Sequence, residues 1–169
     1  MKTYRTVKSG FTLVEILIVV IILGILAAIV IPQFTNASQD ARKSSLTSQL
    51  QTIRSQIELY KLQHLDQAPP LLVAGGATAW DDMSVKTNAN HTTTGTPSFG
   101  PYLQAAPVNP LNNSSIVAVV TWDVTLGGAS GTTTAGWIYN SSNGKTWATS
   151  AQFTRVYNEG DASDANNDL

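Results

Sequence analysis

The chain has 169 residues, 43% of them hydrophobic and only 12% charged, with a formal net charge of −1. That length argues for one compact domain with an appended segment, and so low a charged fraction excludes a strongly charged disordered chain and an ordinary basic nucleic-acid binder. Cysteine is absent and His64 and His91 are the only histidines, which excludes disulfide scaffolds, thiolate metal sites and cysteine nucleophiles and argues against a multi-histidine metal centre. The charge is unevenly spread. Lys2, Arg5 and Lys8 give the first ten residues three positive charges and no negative one, and the rest carries seven Lys/Arg against eleven Asp/Glu, a net of −4.

From Phe11 to Ile31 the chain runs 21 residues, FTLVEILIVVIILGILAAIVI, with Glu15 as the only charge. About 20 apolar residues suffice to cross a bilayer as a helix, and the basic stretch before them is expected to stay cytoplasmic, with everything after Pro32 outside. A secretory signal has a shorter apolar core ending in an A-x-A-like site, which Ala27-Ala28-Ile29-Val30 does not provide. A plain anchor fits the length but leaves Glu15 unexplained, because an ionisable group in such a span costs about 2.5–3.5 kcal/mol on the gentlest insertion scale. Its place near the cytoplasmic end softens that cost.

The residues around it, Lys8-Ser9-Gly10-Phe11-Thr12-Leu13-Val14-Glu15, resemble the N-terminus of type IV pilins and type II secretion pseudopilins. That pattern is a short basic leader, a Gly before the scissile bond, a Phe after it, and a Glu five positions into the mature chain. The resemblance covers about the first 45 residues. It implies that a prepilin peptidase cuts between Gly10 and Phe11 and N-methylates Phe11. It further implies that the Glu15 carboxylate neutralises the new α-amino group on a neighbouring subunit or on its own chain, and an unpaired buried charge is strongly unfavourable where a paired one roughly breaks even. Pro32 predicts a kink, since it removes a backbone donor and clashes with the preceding turn. The resemblance implies that the stretch between Gly24 and Pro32 can unwind within a filament.

Beyond the apolar run, Gln33 to about Leu65 reads as helix, with Leu46, Leu50, Ile53, Ile57 and Tyr60 forming one apolar stripe at 4-3-4-3 spacing. Packing against a sheet suits this stripe better than a coiled coil, for it holds barely two heptads before strand-like sequence follows. Arg54 and Glu58, four apart, are expected to support each other on its surface. Pro69-Pro70 ends the helix. Residues 71–114 read as a Gly/Thr/Asn/Pro-rich loop region with short elements near Trp80 and from Phe99 to Leu103. Within it Tyr102-Leu103 followed by Pro107-Val108-Asn109-Pro110 resembles the stretch before the sheet of major pseudopilins, with Asn109 where Asp is usual. Ser115–Val124, Ala135–Asn140 and Lys145–Thr149 then read as strands, the last two joined by a hairpin turn at Ser141-Ser142-Asn143-Gly144. Period-two alternation puts Ile116, Ala118, Val120 and Trp122 on one face. Three antiparallel strands would bury Trp122 with Trp137 or Ile138 on the helix stripe, and Trp147 could join them.

The fold class expected is therefore α+β and pilin-like, a long N-terminal helix packed on a small C-terminal antiparallel sheet. Residues 1–10 form a cytoplasmic leader, 11–32 the transmembrane and polymerisation helix, 33–66 the amphipathic helix of the head, 67–157 the loop region and sheet, and 158–169 an acidic tail. No nucleotide-binding, nucleophile-elbow, zincin or iron–sulfur pattern occurs. A Ser/His/Asp set assembled from His91 and Asp82 carries no weight in a chain so rich in Ser and Asp. The resemblance to major pseudopilins implies calcium in a C-terminal loop, for which Asp123, Asp161 and Asp164 are the candidates. The loop from Asp123 to Ala135 offers no other carboxylate, and the tail lacks the 12-residue calcium-loop spacing and reads better as solvated. The function expected is that of a non-enzymatic filament subunit, the major pseudopilin of a type II secretion system, with a type IV pilus subunit as the alternative. A monomeric membrane-anchored binding domain stands against both. The partners implied are further copies of the chain, prepilin peptidase, an inner-membrane platform and an assembly ATPase, with no nucleic acid. The place implied is the inner membrane, with the C-terminal domain periplasmic.

Overall fold

The structure is a computed structural model that describes residues 10–71, 80–132 and 134–160. Helix α1 spans Leu13–Gln63, α2 Asp81–Ser84, β1 Val117–Val120, β2 Trp137–Asn140 and β3 Thr146–Ala148. The contacts divide the chain after Asp40 into two units. In the first, Leu13–Ile31 is helical, has a mean hydropathy of 3.3 and contains no buried residue, and it is long and apolar enough to cross a membrane. Helical backbone runs through both Gly24 and Pro32.

The second unit holds the core. Leu46, Leu50, Ile53, Ile57 and Tyr60 are all buried, as the 4-3-4-3 spacing predicts, and they pack with Val117, Val119, Trp137, Tyr139 and Ala148 of the sheet. Each fully buried side chain of this kind contributes about 1.5–3 kcal/mol of transfer free energy. Trp80 meets Trp137 edge to face, ring centroids 6.2 Å apart, and fills the space beside the stripe. Both indole N–H groups find partners: Trp80 donates to the Ser115 carbonyl at 2.7 Å and Trp137 to that of Pro107 at 2.9 Å.

Two expectations about the sheet are corrected. It is mixed, not antiparallel: β1 runs parallel to β2, with Val117 opposite Trp137, and only β2 and β3 are antiparallel, with Ile138 opposite Trp147. Parallel strands need a long crossover, and residues 121–136 supply it, bonding on the way to the chain after β3 through the Ala129–Arg155 bridge. The face assignment of β1 is also one residue out. Val117 and Val119 face the helix, whereas Ile116 and Trp122 lie 53% and 63% exposed. Alternation holds, but a slip of one residue exchanges the two faces. Ile138 and Trp147 point away from the stripe and form a second small cluster with Val156.

The region before the sheet is held by side chains acting on backbone. Asn109 is fully buried. Its Nδ2 donates to the carbonyls of Gly136 and Thr149, both at 2.9 Å, while its Oδ1 accepts the Leu111 N–H. The Pro-Val-Asn-Pro stretch is thus stapled to the start of β2 and the end of β3. Gly136 lies so close to this loop that a Cβ would sit 2.2 Å from the Ser114 carbonyl oxygen. A carboxylate at position 109 would face two carbonyl oxygens with no proton to offer. Asn109→Asp is expected to lower the unfolding free energy by about 2–4 kcal/mol at neutral pH. Denaturant titrations in detergent check this, with part of the loss recovered on acidification, when the acid can donate.

Candidate functional site

Phe11 is 80% exposed, and beyond the adjoining residues and the helix's own backbone nothing lies within 4 Å of where a Cβ on Gly10 or Gly24 would stand, so neither glycine is there to let another part of the described chain approach. Glu15 has a local role that the sequence reading missed. The Glu15 N–H donates to Thr12 Oγ1 at 3.2 Å, and the Thr12 N–H reaches Glu15 Oε2 at 3.4 Å. This is a capping box, with Thr12 as cap and the glutamate three residues on, and it satisfies two backbone donors that a helix N-terminus otherwise leaves open. The Thr-x-x-Glu spacing before an apolar run was the available signal.

The Ser/His/Asp set does not form. Gln67 Oε1 lies 2.8 Å from His91 Nε2 and can only accept, so Nε2 carries the proton and Nδ1 accepts from the Tyr60 hydroxyl at 2.6 Å. Both ring nitrogens are therefore engaged, and neither partner is a serine or an aspartate. His64, fully buried, stacks on Tyr60 at 3.7 Å, with Nδ1 on the Tyr60 carbonyl and Nε2 on the Thr87 hydroxyl. His91 stacks on His64 at 5.0 Å. The pair clasps the loop after α2 to the end of α1. Asp82 has its pKa raised, chiefly by burial, with His91 opposing the rise.

Arg54 departs from expectation. Its guanidinium does not pair with Glu58 but grips the Glu159 carboxylate with two nitrogens, at 2.8 and 2.6 Å, and also donates to the Thr146 carbonyl. Glu58 is met by Lys61 instead, at 3.3 Å. The beginning of the acidic tail is consequently tied to α1 and β3 rather than frayed at Glu159. A cavity of about 310 Å³ lies between Arg54, Glu58 and the β3 residues Thr146 and Trp147.

Of the calcium candidates, Asp161 and Asp164 lie outside the described residues. Asp123 sits just after β1, and its neighbours are hydrogen-bond donors: Asn140 Nδ2 at 2.7 Å and Asn143 Nδ2 at 2.8 Å on Oδ1, and Lys145 Nζ on Oδ2. Among the described residues no group of three or more His, Asp or Glu side chains is arranged so that it could hold a metal ion.

Comparison with known proteins bears on the N-terminal part. Residues 5–31 match the family described as the prokaryotic N-terminal methylation motif. The chain is 42% identical over 60 residues to type II secretion system core protein G of Pseudomonas aeruginosa, covering 36% of this chain and 42% of that relative. The same protein of Dickeya chrysanthemi is 40% identical over 57 residues, covering 34% and 37%. Type IV major fimbrial protein FimA of Dichelobacter nodosus is 51% identical over 51 residues, covering 28% and 33%. The matches thus span less than half the length of these relatives, and no solved structure matches significantly. Fold and motif together define an α+β, pilin-like chain with a prepilin-type N-terminus. Its particular likeness is to core protein G of type II secretion systems.

Burial, and next the neighbouring His64, lowers the pKa of His91, with Asp82 acting the other way. A depressed histidine pKa means that the unfolded chain binds the proton more readily. Stability should be complete above the ordinary imidazole value, about 6.5, and decline as pH falls below it towards the folded value. Thermal unfolding followed from pH 7.5 to 5 checks this: the wild-type midpoint should fall over that range more steeply than that of His91→Gln.

Proposed function

We propose that this chain is the structural subunit of a helical filament, the major pseudopilin of a type II secretion system that exports proteins across the outer membrane. The observation that carries the reading is the segment Leu13–Ile31, a helix that buries no apolar side chain within its own chain and lies within the match to the methylation motif, residues 5–31. Such a surface needs lipid before assembly and other copies of itself afterwards. Lys2, Arg5 and Lys8 favour retention of the leader on the cytoplasmic side, with the head in the periplasm. Gly10 has no steric role of its own in the chain, which suits a peptidase cleft that admits only bare backbone. Cleavage before Phe11 would place an α-ammonium one residue ahead of the Thr12 cap, close in sequence to Glu15.

In the filament Glu15 pairs with that ammonium, on a neighbour or on its own chain, and sets register. Gly24 costs an isolated helix about 1 kcal/mol relative to alanine. With no internal packing to offset that cost, Gly24 and Pro32 are the places where the helix adjusts to its neighbours. The proposed partners are further copies of the chain, prepilin peptidase, the inner-membrane platform and the assembly ATPase. No catalytic step is assigned.

A second reading, a type IV pilus subunit serving adhesion, motility or DNA uptake, is favoured by the likeness to the fimbrial protein of Dichelobacter nodosus. Intact mass and N-terminal sequencing of protein from sheared-surface and envelope fractions test both. A chain beginning at N-methyl-Phe11 and confined to the envelope is expected for the pseudopilin. The same chain in the sheared fraction would favour the pilus. An unprocessed chain in a host with active prepilin peptidase would overturn both and return the protein to a monomeric anchored domain.

A further inference from the structure

The calcium implied for the loop after β1 does not fit the groups around Asp123. Calcium takes six to eight oxygen ligands. Asp123 Oδ1 instead receives two amide N–H groups, from Asn140 and Asn143. Those amides are not free to turn their oxygens inward. Asn140 Oδ1 accepts the Ser142 N–H at 2.9 Å and Asn143 Oδ1 accepts the Lys145 N–H at 3.0 Å. Each amide is therefore oriented by its own turn, with nitrogen towards the carboxylate. Oδ2 meets the Lys145 ammonium.

We infer that the Lys145 ammonium is the built-in cation of this chain. With the two asparagine amides it clamps the β1–β2 crossover to the β2–β3 turn, the task that would otherwise call for a divalent ion. The arrangement is economical in sequence, since one turn, Ser141–Lys145, supplies both the cation and the Asn143 amide. Gly144 makes the turn possible: its φ of +80° is one that L side chains rarely adopt, and a Cβ there would stand 3.2 Å from Ile57 Cγ2. The clamp therefore rests on the helix stripe. Behind it, the Ser141 N–H bonds the Val120 carbonyl at 3.0 Å and the Gly144 N–H that of Asn140 at 2.8 Å. The Lys145 contact, followed by that of Asn143, holds the Asp123 carboxyl down at about 2, so it stays ionised at any pH at which the filament works.

Local hydrogen exchange of the full-length protein in detergent tests this, read at the amides of Ser141 and Gly144. In the wild type, exchange should be the same with excess calcium as with a chelator. Lys145→Gln should speed it about tenfold, and Lys145→Arg, which keeps a cation within reach, should restore most of the protection. Slower wild-type exchange in calcium at these amides, or a Lys145→Gln chain that exchanges like the wild type, would overturn the proposal. Reading these two amides keeps the result independent of any calcium taken up elsewhere on the chain.

Discussion

The second unit depends on one contact, the apolar stripe of α1 laid against the inner face of the sheet. Three strands of three or four residues cannot hold themselves together in water; they need a backing surface. Leu46, Leu50, Ile53, Ile57 and Tyr60 supply it, and the large groups Trp137, Tyr139 and Trp80 close over them. The positions of Asn109, His64, Arg54 and the Gly144 turn follow from that contact, because each ties a loop to a helix or strand that the stripe has already placed. The Tyr139 hydroxyl, for example, donates to the Pro69 carbonyl at 2.7 Å and so fixes the exit from the helix.

Much of the second unit is irregular, and it is ordered by polar side chains rather than by ladders. Asn109 and Asn112 staple the loop before β1 to the end of β3, the latter through the Thr149 hydroxyl and the Ser150 carbonyl, each at 2.9 Å. The His64–Tyr60–His91 stack does the same at the end of α1. Buried polar groups of this kind are costly unless satisfied, and here they are bonded almost throughout. Gln49 Oε1 and Thr146 Oγ1 are the exceptions among the described residues. The first unit differs in its exposure. Its apolar side chains from Leu13 to Ile31 are exposed, and the Thr12–Glu15 box ties the start of the helix.

What could be read from the residues follows from the range of the interactions involved. The helix stripe and the three strand positions are local, periodic signals, and they emerge where expected within a few residues. The Asn-Gly turn is equally local. Strand direction is not local, since it depends on whether residues 121–136 fold back or cross over. The crossover is stabilised by the chain around Arg155, which has no pattern to announce it. Trp122 shows the same limit: alternation identifies a face but not which one points inward. The Arg54–Glu159 pair joins residues 105 positions apart and left no trace in spacing, whereas the i,i+4 partner Glu58 was the natural guess. At the N-terminus the motif was legible in full, but its capping function was hidden behind the more specific resemblance. Asp123 was legible as a candidate carboxylate. Its occupant was not, because the orientation of Asn140 and Asn143 is set by turns.

If copies of this chain associate through Leu13–Ile31 as proposed, their register is set by the charge at Glu15 rather than by its helix cap. Because the chain lacks cysteine, single cysteines can be placed in turn along this segment and oxidised in membranes of a host that processes prepilins. Disulfide-linked dimers are expected at positions recurring with the helical period. They should be lost in Glu15→Gln, which keeps the capping box but removes the charge, and retained in Thr12→Ala, which does the reverse. Weak cross-linking at every position alike, indifferent to Glu15, would contradict that association and leave the segment a simple anchor.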